Sequence, residues 1–278
     1  MKISRALLSI IFLLIITGCK KPAAGIKNDD SSSQKNNNSS QQPADIFRPS
    51  AHSPDSCILV DASKDGGVWW FPQGPSYSGL LDHQGKALAD YLRSRGYYVD
   101  ELPQGAVITD DLLSHYTKIV RGAPFFDYSD SEIIAYKNFM NKPSAILLFH
   151  DHLTYDSNDK LSIFLGLNFK GAIEGTVNYV AEHPITQDMQ LLPYIAGAVV
   201  VNADNNPTIT VLGSLKSGTY TVLNGADPFS GEQSGGDAPV MGLVTNFPNT
   251  KIFFIGDMNG IENVPQPLTK NIVDWLFN

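Results

Sequence analysis

Cysteine is nearly absent from this chain, with two in 278 residues, at positions 19 and 57. A disulfide framework needs several paired cysteines, so none is expected here. Charge is sparse as well. Asp, Glu, Lys and Arg make up 17% of the chain, and the net charge is −8. Nucleic acid is bound chiefly by Lys and Arg against phosphate, so an acidic chain argues against that partner. No Gly-rich loop ending in Gly-Lys-Ser/Thr is present. No Gly-x-Ser-x-Gly elbow occurs, and Gly-x-Gly-x-x-Gly is missing after the first predicted strand. These gaps remove the phosphate cradle, the hydrolase serine and the dinucleotide fingerprint. No cofactor is expected.

What is present begins with a targeting segment. Lys2 and Arg5 precede an apolar run, Ala6 to Ile16, interrupted only by Ser9. The run falls short of the roughly 20 residues that cross a bilayer, and it fits a signal-peptide core. Ile16-Thr17-Gly18-Cys19 follows and resembles a bacterial lipobox. That resemblance implies a signal peptide over residues 1–18, cleavage before Cys19 and a lipid on its sulfur. The membrane is then a partner through that lipid, and several acyl chains would hold the protein firmly. Lys20 in place of Asp, by the same resemblance, points to the outer membrane facing the periplasm.

Residues 19–53 read as a disordered tether. Ser31 to Gln42 is Ser, Asn, Gln and Lys throughout, with too little apolar surface to offset the entropy of ordering. Residues 1–50 hold seven basic and three acidic side chains, a net +4, which leaves −12 for the remainder. So acidic a domain is not expected to adhere to anionic lipid by charge.

Residues 54–278 suit one α/β domain. Strands are expected at Cys57–Asp61, Tyr97–Leu102, Lys118–Gly122, Ala145–Phe149 and Lys251–Ile255, the first and the last two of them buried. Helices are expected between them, including one opened by a Ser129–Glu132 capping box. A last helix runs from Leu268 to Phe277. Over about 172–247 the pattern changes to short strands separated by Asn, Gly, Pro and Asp clusters, which reads as an antiparallel β-rich extension. The expected fold is therefore α/β: a three-layer parallel-sheet core of the flavodoxin-like kind, with that extension.

Ala145 to Phe149 runs straight into His150-Asp151-His152. Parallel strands buried on both faces read as continuous apolar runs, and open α/β sheets bind ligands beyond the carboxyl ends of their strands. Asp61 and Asp257 also close buried strands. Three readings stay open for Asp61, the 150–152 cluster and Asp257. They fit a non-metal ligand cleft. They fit a metal set, with His150, His152 and Asp257 as the candidates, because imidazole and carboxylate suit zinc, iron or manganese. They also fit plain capping of helices and loops. Trp69 and Trp70, with Phe71, Tyr77 and Tyr128, form either an aromatic platform and lid over the ligand or packing at the sheet edge. Cys57 reads as a buried core thiol, and His183 in His183-Pro184-Ile185-Thr186 as a turn histidine.

The order of these segments carries a resemblance. Strand one ends in Asp61, and a helix leads to Gly96-Tyr97-Tyr98-Val99. Lys118-Ile119-Val120 precedes a Ser129-Asp130-Ser131-Glu132 helix. His183-Pro184-Ile185-Thr186 and Phe253-Phe254-Ile255-Gly256-Asp257 follow. This pattern, over about Cys57 to Asn278, resembles the class I glutamine amidotransferase-like fold, in its branch of uncharacterised bacterial and sugar-utilisation-like proteins. Amidotransferases of that family carry a cysteine nucleophile at the turn after a central strand and a late His-Glu pair. The matching turn here is Phe149-His150-Asp151-His152, with no cysteine, serine or threonine. The resemblance thus implies the fold and speaks against amidotransferase catalysis, which needs a nucleophile beside its base. It leaves two expectations. One is a lipoprotein domain that binds a small ligand or an envelope protein without catalysis. The other is a metal-assisted hydrolase of envelope carbohydrate or peptide.

Overall fold

A computed structural model describes residues 47–66, 70, 85–152, 159–189, 191–229, 236–258 and 267–278. Cys19, the signal segment and the tether up to residue 46 lie outside them, as do Trp69, Phe71 and Tyr77.

Five strands run parallel in the spatial order β2-β1-β3-β4-β10. They are β1 (Cys57–Asp61), β2 (Tyr98–Leu102), β3 (Lys118–Arg121), β4 (Ser144–Phe149) and β10 (Thr250–Ile255). This is the 2-1-3-4-5 order of flavodoxin-like sheets, with β10 in fifth place. Alternate residues of each strand face opposite sides. Ile58, Val60, Leu147, Phe149, Phe253 and Ile255 pack in one core with helices α1 (Lys86–Ser94) and α5 (Pro267–Phe277). Cys57, Leu59, Ile146, Leu148, Ile252 and Phe254 pack in a second core with α2 (Asp110–Ser114), α3 (Asp130–Met140) and α4 (Lys160–Phe164). Two apolar faces on one sheet explain why these strands read as unbroken apolar runs. The Ser129–Glu132 capping box is present and opens α3.

The segment between α4 and β10 supplies the rest of the sheet. It contains β5 (Phe169–Tyr179), β6 (Leu192–Val200), β7 (Ile209–Leu215), β8 (Thr221–Val222) and β9 (Ala238–Val244). β9 pairs antiparallel with β10, β7 with β9, and β5 with β7, β6 and β8. The extension therefore continues the central sheet and starts at Phe169, a little before the expected boundary. Ladder shifts break the β5–β6 pairing between Lys170 and Gly175. Ala196 takes a left-handed φ of 58° within β6.

Order also reaches further back than the expected start at Pro54. Phe47 packs against the second core. Ser50 donates its N–H and its hydroxyl to the Asp100 carboxylate, at 2.9 and 2.5 Å, and His52 stacks on Tyr98. Asp100 lies on β2 at the sheet edge, so residues 47–53 are docked to the domain.

Candidate functional site

The flavodoxin-like order puts the switch point between β1 and β3. Here that crevice is stitched shut. Gly122 N–H donates to the Asp61 carbonyl at 3.0 Å, and the Phe125 and Phe126 N–H groups both donate to the Lys64 carbonyl, at 2.6 and 2.9 Å. The Asp61 carboxylate accepts from the Tyr128 and Tyr136 hydroxyls on Oδ2, at 2.8 and 2.5 Å. On Oδ1 it accepts from the Ser63 N–H and hydroxyl, at 3.0 and 2.7 Å. Four donors saturate one buried carboxylate. Asp61, a candidate ligand residue, is instead a clamp between the first loop and α3. Tyr128 leaves the aromatic platform for the same reason: it is buried and spent on Asp61.

Trp70 is also corrected. It is fully buried, its indole N–H donates to Glu101 Oε2 at 3.1 Å, and its ring packs on Gly85. A large aromatic with a partner for its N–H gains more in the core than over an open edge. It is part of the core and not a lid.

A second buried network sits between β3, β4 and α4. Arg121, at the end of β3, pairs with Asp159 at 2.8 Å and donates to the Ser162 hydroxyl at 3.0 Å. Asp159 is also the N-cap of α4. The guanidinium holds the Asp159 carboxyl below its ordinary range against the pull of burial. Among the described residues, Arg121 Nε is buried without a hydrogen-bond partner. Sequence reasoning missed this pair, although a charged residue ending the apolar run Ile119-Val120 was a visible signal.

The cluster after β4 divides. His150 is buried and stacks on Phe169, with ring centroids 4.2 Å apart. Its Nδ1 lies 3.1 Å from the Asp151 carbonyl, and burial lowers its pKa to about 3, so the ring is neutral. His152 points elsewhere. Its Nδ1 pairs with Asp151 Oδ1, its own N–H donates to the same oxygen at 2.7 Å, and its side chain is 25% exposed. Asp151 is buried, and its Oδ2 also accepts from the Met258 N–H at 3.3 Å. The bond to Asp151 raises the His152 pKa above its ordinary value, with a further contribution from Asp257. Burial pushes the Asp151 carboxyl up, against the pull of His152 and the N–H donors.

Asp257, after β10, is buried, and its Oδ2 accepts from the Ile195 N–H at 2.8 Å. Strand β6 therefore comes over the carboxyl end of β10. Ala198 N–H donates to the Gly256 carbonyl at 2.8 Å, and Gly256 N–H to the Val240 carbonyl at 2.9 Å. A Cβ on Gly197 would lie 2.6 Å from the Asp257 Cβ, so only glycine fits this seam. No short-range pattern announces that contact.

The arrangement brings Asp151, His152 and Asp257 together at the β4–β10 edge and leaves Asp61 and Trp70 in the framework. Among the described residues, no three His, Cys, Asp or Glu side chains are grouped to hold a metal ion. His183 accepts from the Ile185 N–H and caps a short 3-10 turn, Pro184–Thr186. Cys57 is buried, and burial raises its thiol pKa.

No family model and no curated protein matches the chain. Solved structures do. A ThuA-like protein from Bacteroides uniformis is similar over 84% of this chain and 94% of its own, at 18% identity and a TM-score of 0.52. The likeness is one of fold and is consistent with a class I glutamine amidotransferase-like arrangement. The mmIFT52 N-terminal domain is similar over 79% of this chain and 94% of its own, at 14% identity and a TM-score of 0.53. At such identities the likeness is one of fold alone, and it leaves function to the site.

Proposed function

We propose that this chain is a lipid-anchored envelope protein, held by Cys19, whose amidotransferase-like domain binds a small ligand or a partner protein at the β4–β10 edge without covalent catalysis. One observation carries the reading. The turn after β4 offers His150-Asp151-His152 where a nucleophile would be needed, and two of the three are engaged internally. What faces outward is His152, positioned by a buried carboxylate. A held imidazole with a raised pKa presents a charged donor, suited to a carboxylate or a polarised carbonyl.

The test has two arms. Growth with an alkynyl fatty acid should label the wild-type chain, and Cys19→Ser should lose both the label and the membrane fraction. In a thermal-shift screen of envelope metabolites, stabilisation by any hit should be lost in His152→Ala, and no glutaminase activity should accompany it. Glutamine hydrolysis that tracks the wild-type protein would end the non-catalytic reading.

A hydrolase acting on envelope carbohydrate or peptide is the second reading, and the Asp151–His152 pair favours it. A carboxylate on Nδ1 fixes the tautomer and frees Nε2 as a base for water. In a metal-assisted form, His152 and Asp257 would need further ligands from outside the described residues. Elemental analysis of the purified protein, beside His152→Ala, separates the two forms: stoichiometric metal lost in the variant supports metal assistance.

A further inference from the structure

The turn after β3 displays two phenylalanines to solvent. Phe125 is 46% exposed and Phe126 60%, with ring centroids 5.7 Å apart in an edge-to-face arrangement. Exposed aromatics in a loose loop carry little meaning, but these are held. Both N–H groups are bonded to one carbonyl, that of Lys64. Gly66, at φ 70°, passes beneath Phe125 so closely that a Cβ there would lie 3.1 Å from the Phe125 Cβ. Tyr128, two residues on, is buried and bonded to Asp61. The rings therefore sit on a turn anchored at both ends, and little conformational freedom remains to be lost on binding.

Asp127 stands beside them. It is exposed and makes no hydrogen bond or ion pair among the described residues. The nearby lysines are engaged elsewhere, Lys64 with Glu132 and Lys160 with Asp130, both at 2.8 Å. Partial burial and the neighbouring Asp159 push the Asp127 carboxyl up, against the pull of Lys160, whose ammonium is paired with Asp130. The surrounding domain is acidic, which draws cations to it.

We propose that Phe125, Phe126 and Asp127 form a docking point for an arginine side chain on a partner protein. The guanidinium would lie against the exposed rings and pair with the Asp127 carboxylate. Arginine fits better than lysine because its planar, weakly hydrated fork stacks on aromatic faces and matches a carboxylate. The proposal does not depend on what binds at His152.

The experiment uses the full chain in detergent micelles, labelled with nitrogen-15, and an acetyl-Gly-Arg-Gly-amide probe. A matching citrulline peptide, neutral and nearly isosteric, is the control. The arginine peptide should shift the amides of residues 125–127 saturably. The citrulline peptide, Asp127→Asn and Phe126→Ala should each weaken binding about two- to fivefold, the range of exposed cation–π and ion-pair contacts. All three residues are exposed, so the variants should keep the wild-type spectrum elsewhere. Equal shifts with citrulline, or shifts away from this turn, would overturn the proposal. So would the same amides responding to phosphatidylcholine bicelles and not to the peptide, because the occupant would then be a bilayer.

Discussion

The two halves of the sheet are built on different terms. In the parallel half β1, β3, β4 and β10 are apolar on both faces and covered by helices on both sides, while the edge strand β2 carries Asp100 and Glu101. The polar groups of those four strands stand at or just beyond their ends, where Asp61, Arg121, Asp151 and Asp257 are buried and hydrogen-bonded. The antiparallel half is irregular. Its longest pairing, β5 with β6, shifts register, and Ala196 is left-handed. Ile195 and Leu191 stand exposed beside it. A regular half supplies rigidity, and an irregular one bends across the strand ends to make contact with the site. That contact is the seam where Ile195 meets Asp257 and Ala198 meets Gly256.

The comparison can be broken most directly at Arg121. Arg121→Met leaves Asp159 as a buried, uncompensated charge, and removing one partner of such a pair typically costs about 3–5 kcal/mol. Urea unfolding should show that loss, and Arg121→Met with Asp159→Leu should recover most of it. A single variant as stable as wild type would mean that the buried pair is not part of what holds this half.

The seam comes next. Gly197→Val drives side-chain atoms into Asp257 and Tyr194, and overpacking of this kind costs about 1–3 kcal/mol. Hydrogen exchange should quicken in β5 and β6 while β1, β3 and β4 stay protected. Uniform acceleration across both halves would show that they unfold as one unit.

A smaller effect sharpens the account of the site. Because Asp151 raises the His152 pKa, its stabilising effect is fully present below the unfolded value, near 6.5, and is lost as pH rises through the higher folded value. Asp151→Asn should move the His152 titration, followed by NMR, down toward its ordinary position. An unmoved midpoint would detach the two residues. The smallest change is expected at the displayed turn. Phe126→Ala should alter stability by no more than about 0.5 kcal/mol in the same urea titration, as exposed positions usually do. A larger loss would place that ring in the framework of the parallel half.

Much of the parallel half was legible in the sequence. Cys57–Asp61, Ala145–Phe149 and Lys251–Ile255 are short apolar runs closed by polar residues, and Ser129 with Glu132 is a capping signature of local spacing. That Asp151, His152 and Asp257 would gather at one edge was legible for the same reason, since polar residues at strand ends share one side of a parallel sheet. Which of them face outward was not. Asp61 and Asp151 look alike in sequence, yet the first is saturated by Tyr128 and Tyr136, over sixty residues away, and the second orients its neighbour His152. Trp70 looked like a lid because loops rich in Gly and aromatics often cover sites. Its burial depends on Gly85 and Glu101.

By itself, then, the sequence determined the periodicities: two-sided strands, caps, a β-rich change of pattern after residue 171, and a turn without a nucleophile. Those follow from contacts between residues a few positions apart. The tertiary structure decided which titratable groups are saturated, that Arg121 meets Asp159, and that β6 reaches the end of β10. These contacts join residues 38 to 75 positions apart. A buried polar group is satisfied by whatever donor the fold brings to it, and that donor is not written in the residues beside it.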